Sequence, residues 1–193
     1  MLGQVGKNNL GDIALDDISL TFGSCPTTPQ IAAATIGDCT FEIDECGWSN
    51  AAARERVDDI DWDRTSGQAT RTSTHDHTMG SEKGFFMTLA RSNVQRPGSR
   101  AWFASHKLKA SSLPLCVSFW MRFVLNEPFI DNTGPSLGSL SVYVKMLDKN
   151  GNIQMEPIWR LYNHQGPEWR YAQALIQEIN NDHVEKVEKK LMI

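Results

Sequence analysis

His75-Asp76-His77 is a natural place to look for chemistry in this chain. On an extended backbone the two rings of a His-x-His pair turn to one face, an arrangement that zinc can use. A zinc hydrolase built there needs a third ligand. The other histidines, His106, His164 and His183, stand at no spacing that supplies one. A second candidate is the acid run Asp58, Asp59, Asp61 and Asp63. Calcium takes six to eight oxygen ligands, and such runs can provide them. The EF-hand pattern fails, because no Gly stands at its sixth position and no Glu at its twelfth. The plainer reading is a solvated acidic loop beside a buried Trp62. The third candidate is the pair Cys39 and Cys46, with Glu42, Asp44 and Glu45 between them. A metal site, a redox pair and a structural staple all have to be weighed here. No C-x-x-C occurs, which weakens the zinc-ribbon and thioredoxin readings, and no His lies near in sequence. With Cys25 and Cys116 the chain has four cysteines. That even number suits disulfides but leaves their pairing open. There is no nucleophile elbow, phosphate loop or H-E-x-x-H helix.

The elements that must position these residues read as strands. Residues 11–22 carry Ile13, Leu15, Ile18, Leu20 and Phe22, a period of two that slips at Asp16-Asp17, as a bulge would make it. Residues 26–38 are small, polar and Pro-containing, a linker composition. Strand signals recur at 85–90, 101–105, 115–125, 140–146, 157–161 and 169–176, separated by Gly/Pro-rich turn clusters. In 140–146, Leu140, Val142 and Val144 share one face, and Tyr143 and Lys145 the other. Many short strands with such turns point to an antiparallel sandwich. The six tryptophans are large enough to anchor its interior and are read as core rather than as a carbohydrate platform. Residues 177–193 are charged and lack the alternation; they read as a weak helix or a frayed tail.

Composition narrows the function classes. A 40% hydrophobic and 22% charged chain is globular. A net charge of −4 without a basic block argues against nucleic acid as partner. No apolar run of about 18 residues is present to insert in a membrane, and MLGQVGKNNLGD has no signal-peptide core.

Several motifs occur together and in order: Cys39-Thr40-Phe41-Glu42, Cys46-Gly47-Trp48, Asp61-Trp62-Asp63-Arg64, Asp76-His77-Thr78, Gly84-Phe85-Phe86, Cys116-Val117-Ser118-Phe119-Trp120 and Leu140 to Lys145. This set closely resembles the MAM domain, an extracellular module. The resemblance covers about 39–176. It implies a jelly-roll-like β-sandwich, two disulfides with Cys39 paired to Cys46, and an interaction or adhesion role rather than catalysis. It implies protein partners, like domains among them, on a secreted or membrane-anchored parent. It also implies a structural cation, calcium, near the start of the domain, with Glu42, Asp44 and Asp76 as ligands and Asp17 as a further one; no other cofactor is expected. The turn at Asp76-His77-Thr78 belongs to the family pattern.

The family closes with G-D-I-A-I-D-D-I…G-x-C, which Gly11 to Ile18 and Gly23-Ser24-Cys25 match. Residues 1–25 therefore resemble the terminal strand of a preceding MAM domain, 26–38 a linker, 39–176 a MAM domain truncated before its last strands, and 177–193 an atypical tail. Tandem arrays of the zonadhesin type, or those with LDL-receptor class A modules, fit this order. Two outcomes are open. Residues 11–22 fill the vacancy in cis, bringing Cys25 to Cys116, or residues 1–38 stay unpaired and Cys116 is a free thiol. Three functions are carried forward: an interaction module, a glycan- or ligand-binding jelly roll, and a zinc hydrolase on His75 and His77.

Overall fold

The computed structural model describes residues 2–5, 12–22, 38–52, 58–70, 74–90, 98–108, 114–124, 138–147, 152–162, 165–176 and 189–192. They form eleven strands: β1 (Leu2–Val5), β2 (Asp12–Phe22), β3 (Ser49–Asn50), β4 (Asp63–Ser66), β5 (Phe85–Ala90), β6 (Arg100–Ala104), β7 (Leu115–Val124), β8 (Gly138–Leu147), β9 (Ile153–Tyr162), β10 (Gly166–Ile176) and β11 (Lys189–Met192). One sheet runs β1-β6-β11-β8-β9, with β3 on β6 and β1 also on β8. The other runs β10-β7-β2-β5-β4. The pairings are antiparallel. The chain is an all-β sandwich of the kind the alternation implied.

The core lies between the sheets because alternate residues of each strand turn inward. Val117, Phe119, Met121 and Phe123 of β7 and Met87 and Leu89 of β5 come from one side. Phe103 of β6 and Leu140, Val142 and Val144 of β8 come from the other. Phe41, Trp48 and Trp62 gather around Phe103; Trp48 stacks on it with centroids 5.6 Å apart. Trp48, Trp62 and Trp102 are buried as expected, whereas Trp120, Trp159 and Trp169 are half-buried.

The place of β2 decides between the two outcomes for the N-terminal segment. It is a central strand, between β5 and β7. Leu15, Ile18 and Leu20 point into the core. The slip in its pattern is a real bulge: its register on β7 shifts between Asp16 and Ser19. Asp17 has a φ of 49° there, in the left-handed region that Asp tolerates better than most residues. Residues 12–22 are thus seated in the sheet rather than left unpaired. Cys116 is disulfide-bonded; Cys25, its expected partner, and the linker at 26–37 lie outside the described residues.

Two expectations need correction. The tail at 177–193 contains a strand, β11, on β8 and β6. Four residues are too short a stretch for alternation to show. The zinc alternative supposed His75 and His77 on a strand; they lie in a turn-rich segment, 74–84, as the family-type turn at Asp76-His77-Thr78 implied. Residues 177–188 lie outside the described residues.

Candidate functional site

Most of the chemistry-bearing side chains collect on the outer face of the β2 sheet, under segment 74–84. The bulge creates the place. By packing an extra residue into β2, it keeps Leu15 and Ile18 both inward and turns Asp16 and Asp17 toward the segment. Asp16 is fully buried; its carboxylate accepts the backbone N–H groups of Asp17 and His77, both at 2.9 Å. Asp17 accepts from Thr78 Oγ1 at 2.6 Å and meets His77 Nδ1 at 2.5 Å. The His77 ring stacks on Trp120 of β7 with centroids 3.9 Å apart. Trp169 of β10 donates its indole N–H to the His75 carbonyl at 2.8 Å and packs edge-on to Phe86. Bulge, segment and aromatics form one continuous cover.

Asp76 organises the segment from inside. It is buried, and its carboxylate accepts the backbone N–H groups of Met79 at 2.5 Å and Ser81 at 2.9 Å. Gly84 faces that carboxyl so closely that an added Cβ would come within 2.0 Å of Asp76 Cγ. The glycine of the Gly84-Phe85-Phe86 motif is therefore the room that Asp76 occupies. Glu42 accepts from Phe85 N at 3.2 Å and lies near enough to Asp76 for the two carboxyl groups to interact.

The electrostatics follow from burial. Desolvation first, then the neighbouring Asp17 and Asp76 carboxyl groups, push Asp16 from the usual 3.8 up to about 8; its two backbone donors oppose this and are outweighed. Burial also raises Glu42, against its hydrogen bond from Phe85. At the start of β2, burial raises Asp12 and lowers Arg122, and each partly offsets the other's shift by attraction.

Among the residues that the resemblance put forward for calcium, Asp44 stands apart: it is exposed and its Oδ1 accepts Cys46 N at 2.7 Å. Asp17, Glu42 and Asp76 are each engaged as described. Among the described residues no group of three or more His, Cys, Asp or Glu side chains is placed to hold a metal ion. His75 is exposed, and His77 is committed to Asp17 and Trp120, so the two rings do not act as a pair. The acid run has a structural use that its composition hid. Asp58 Oδ2 accepts Trp102 N and Asp59 Oδ2 accepts Arg100 N, binding the loop to the edge of β6.

Cys39 and Cys46 form a disulfide with Cα atoms 5.6 Å apart, inside the usual range. The loop they close is held by Arg64. Its Nε donates to the Phe41 carbonyl at 2.6 Å, its Nη2 to the Glu42 carbonyl at 2.7 Å, and its guanidinium lies 3.8 Å from the Phe85 ring centroid. Phe41 sits at a φ of 63°, unusual for a bulky residue, and the Arg64 fork holds it there. The motif Asp61-Trp62-Asp63-Arg64 contained this residue, but nothing in one sequence says that its partners are carbonyls at 41 and 42.

A family model described as MAM domain, meprin/A5/mu, matches residues 39–187. The chain belongs to the MAM domain family. It is 31% identical over 170 residues to human MAM domain-containing protein 2, covering 86% of this chain and 22% of that protein. It is 30% identical over 167 residues to Xenopus laevis thyroid hormone-induced protein B, covering 84% of this chain and 21% of that one. The mouse MAM domain-containing protein 2 is 28% identical over 165 residues, with 84% and 21% covered. The chain spans about a fifth of the length of these relatives. MAM domains are in general extracellular modules of adhesion and interaction, without catalytic function. No described helix is long and apolar enough to cross a membrane.

Proposed function

We propose that this MAM unit is a non-enzymatic interaction module of a larger extracellular or cell-surface protein that carries several such units. The observation that carries the reading is the family match over 39–187. Two others support it. The titratable groups that could suggest catalysis are engaged in holding the fold: Asp16, Asp17 and Asp76 with segment 74–84, and His77 between Asp17 and Trp120. The family-type closing sequence at 11–25 also stands ahead of the unit beginning at Cys39, the order that successive MAM units would produce. Protein partners, including other MAM units, are the ligands this reading expects.

A binding screen of the purified chain against cell-surface ectodomains tests it, with a glycan array in parallel. Saturable binding to one or more ectodomains supports the proposal. Binding confined to glycans would replace it with a lectin-like role, which the exposed Tyr162, with Arg160 bridging it to Tyr143, could serve.

A further inference from the structure

The two outer faces of the sandwich are finished differently. That of the β2 sheet lies under segment 74–84. That of the other sheet carries exposed side chains along β8 and β9. Leu140, Val142 and Val144 of β8 turn inward, so Ser141, Tyr143 and Lys145 turn outward, and their partners across the ladder, Arg160, Pro157 and Met155 of β9, turn outward with them. Ile153 and Tyr162 end the row, and both are more than half exposed. An exposed apolar row beside tyrosines and an arginine has the composition of a contact surface rather than of an ordinary solvated strand.

Arg160 is the fixed point of that row. Its Nε donates to Ser141 Oγ at 3.0 Å, its Nη1 to the Tyr162 hydroxyl at 3.1 Å and its Nη2 to the Tyr143 hydroxyl at 2.5 Å. The guanidinium carbon lies 6.0 Å from the Tyr143 ring centroid and 5.8 Å from that of Tyr162. Tyr143 is braced in turn by Trp102, edge-on with centroids 5.3 Å apart. A long exposed side chain is thereby held in one pose before any partner arrives, which lowers the ordering cost of binding. Its three partners are neutral hydroxyls, and among the described residues no carboxylate pairs with it. Those bonds use three of the five N–H groups of a guanidinium and leave one on each of Nη1 and Nη2. Each tyrosine hydroxyl, accepting from Arg160, keeps its own proton to donate. Lys145 adds a second positive charge, and the described outward positions of β8 and β9 hold no acid, although the chain has a net charge of −4. The cluster offers donors under a positive charge.

We propose that the outer face of β8 and β9 is where this module takes a protein partner, and that the partner presents an extended acidic segment. An Asp or Glu carboxylate of that segment is received by Arg160, Tyr143 and Tyr162, while its apolar side chains lie along Pro157, Met155 and Ile153. The proposal rests on the reading of the chain as an interaction module and gives that reading a surface and a partner chemistry. An ionised carboxylate only accepts hydrogen bonds, and its two oxygens match the planar fork of a guanidinium. At roughly 3.3 Å per residue the row from Ile153 to Tyr162 spans about 30 Å, the reach of about ten extended residues. A sulfated or uronate glycan carries a similar anion, but it is drawn to clustered cations, and the apolar half of the row gives it nothing to bind.

The test pans a phage library of random peptides, each about ten residues long to match the row, on the immobilised full chain. Enriched peptides should share an Asp or Glu and bind saturably. Changing that residue to its amide should weaken binding at least tenfold, as should Arg160→Gln in the chain. Arg160→Lys keeps the charge without the fork and should lose most of the affinity as well. Met155→Ser should weaken binding several-fold. All three positions of change are exposed, so the variants should keep the melting curve of the unaltered chain. Should Arg160→Gln fail to fold, Arg160→Lys and Met155→Ser decide. No enrichment, or peptides indifferent to these substitutions, overturns the proposal. So does a heparin or hyaluronan oligosaccharide that binds the same residues and excludes the peptides. Panning needs no ectodomain, so the two readings fail separately: ectodomain binding that survives Arg160→Gln keeps the interaction module and removes this surface.

Discussion

Strands β2 and β9 are of nearly equal length, and both carry apolar residues, yet they live in opposite conditions. β2 has a neighbour on each side and a layer over each face: the core within, segment 74–84 without. Among the described residues β9 pairs only with β8, and it is largely exposed, with Ile153 and Tyr162 more than half accessible. Pro157 lies in the middle of β9, where an edge strand tolerates a residue without an N–H. The difference teaches that the least replaceable strand of this sheet enters from the N-terminal side of the MAM unit, while a strand well inside the matched region is a replaceable edge.

The largest effect should come from breaking β2 inside the core. Ile18→Ala removes a fully buried side chain between the sheets and should cost about 2–5 kcal/mol, read as a lower urea midpoint. Ile153→Ser on β9 should stay within about 0.5 kcal/mol. Equal losses from both would end the contrast.

Next is the cover over β2. Gly84→Ala would drive a methyl group into the Asp76 carboxyl and disturb the hydrogen bonds to Met79 and Ser81. Disrupting such a buried acceptor should cost about 1–3 kcal/mol. Its signature is faster amide exchange at 79 and 81 while β9 is unchanged.

Acidity sharpens the comparison further, because the buried carboxyl of highest affinity for protons lies in β2. The folded protein holds the Asp16 proton up to about pH 8, whereas the unfolded chain releases it near the usual 3.8. Between those values the folded state binds more protons, so this group's contribution is full below about pH 4 and declines as pH rises to 8. Stability should fall on the order of 1–3 kcal/mol from pH 5 to pH 8 on this account. Asp16→Asn, which stays neutral, should flatten that slope in denaturant titrations at the two pH values. A slope that survives the substitution assigns it elsewhere.

The smallest effect expected is that of calcium. With Asp17, Glu42, Asp44 and Asp76 engaged as they are, millimolar calcium or EDTA should move the Tm by no more than about 2 °C, less than about 1 kcal/mol for a domain of this size. A rise well beyond that would show that the carboxylates regroup around the ion.

The sandwich was legible because its strands alternate cleanly. The spans at 85–90, 115–125 and 140–146 fall on β5, β7 and β8 nearly residue for residue. Even the bulge was visible as a slip at Asp16-Asp17. β1, β3, β4 and β11 were missed because strands of two to four residues carry too little period to read. In the site, the disulfide was implied by resemblance and is present. The coupling of Asp17 to His77 was not legible: it joins residues sixty apart through a bulge whose direction no spacing reveals. The Arg64 fork escaped notice for a related reason, since its acceptors are main-chain carbonyls that no residue type announces.

The seat of β2 also sets a timetable for synthesis. Asp12 faces Val124 across the ladder to β7, so on a ribosome β2 emerges well before β7 and pairs late. At 5–20 residues per second, the roughly hundred residues in between take about 5–20 s. Through that interval β7, beside which β2 takes its place in this unit, has yet to be made. Protease digestion of stalled ribosome complexes of this chain should show β2 cut readily until β7 has cleared the exit tunnel, and protected afterwards.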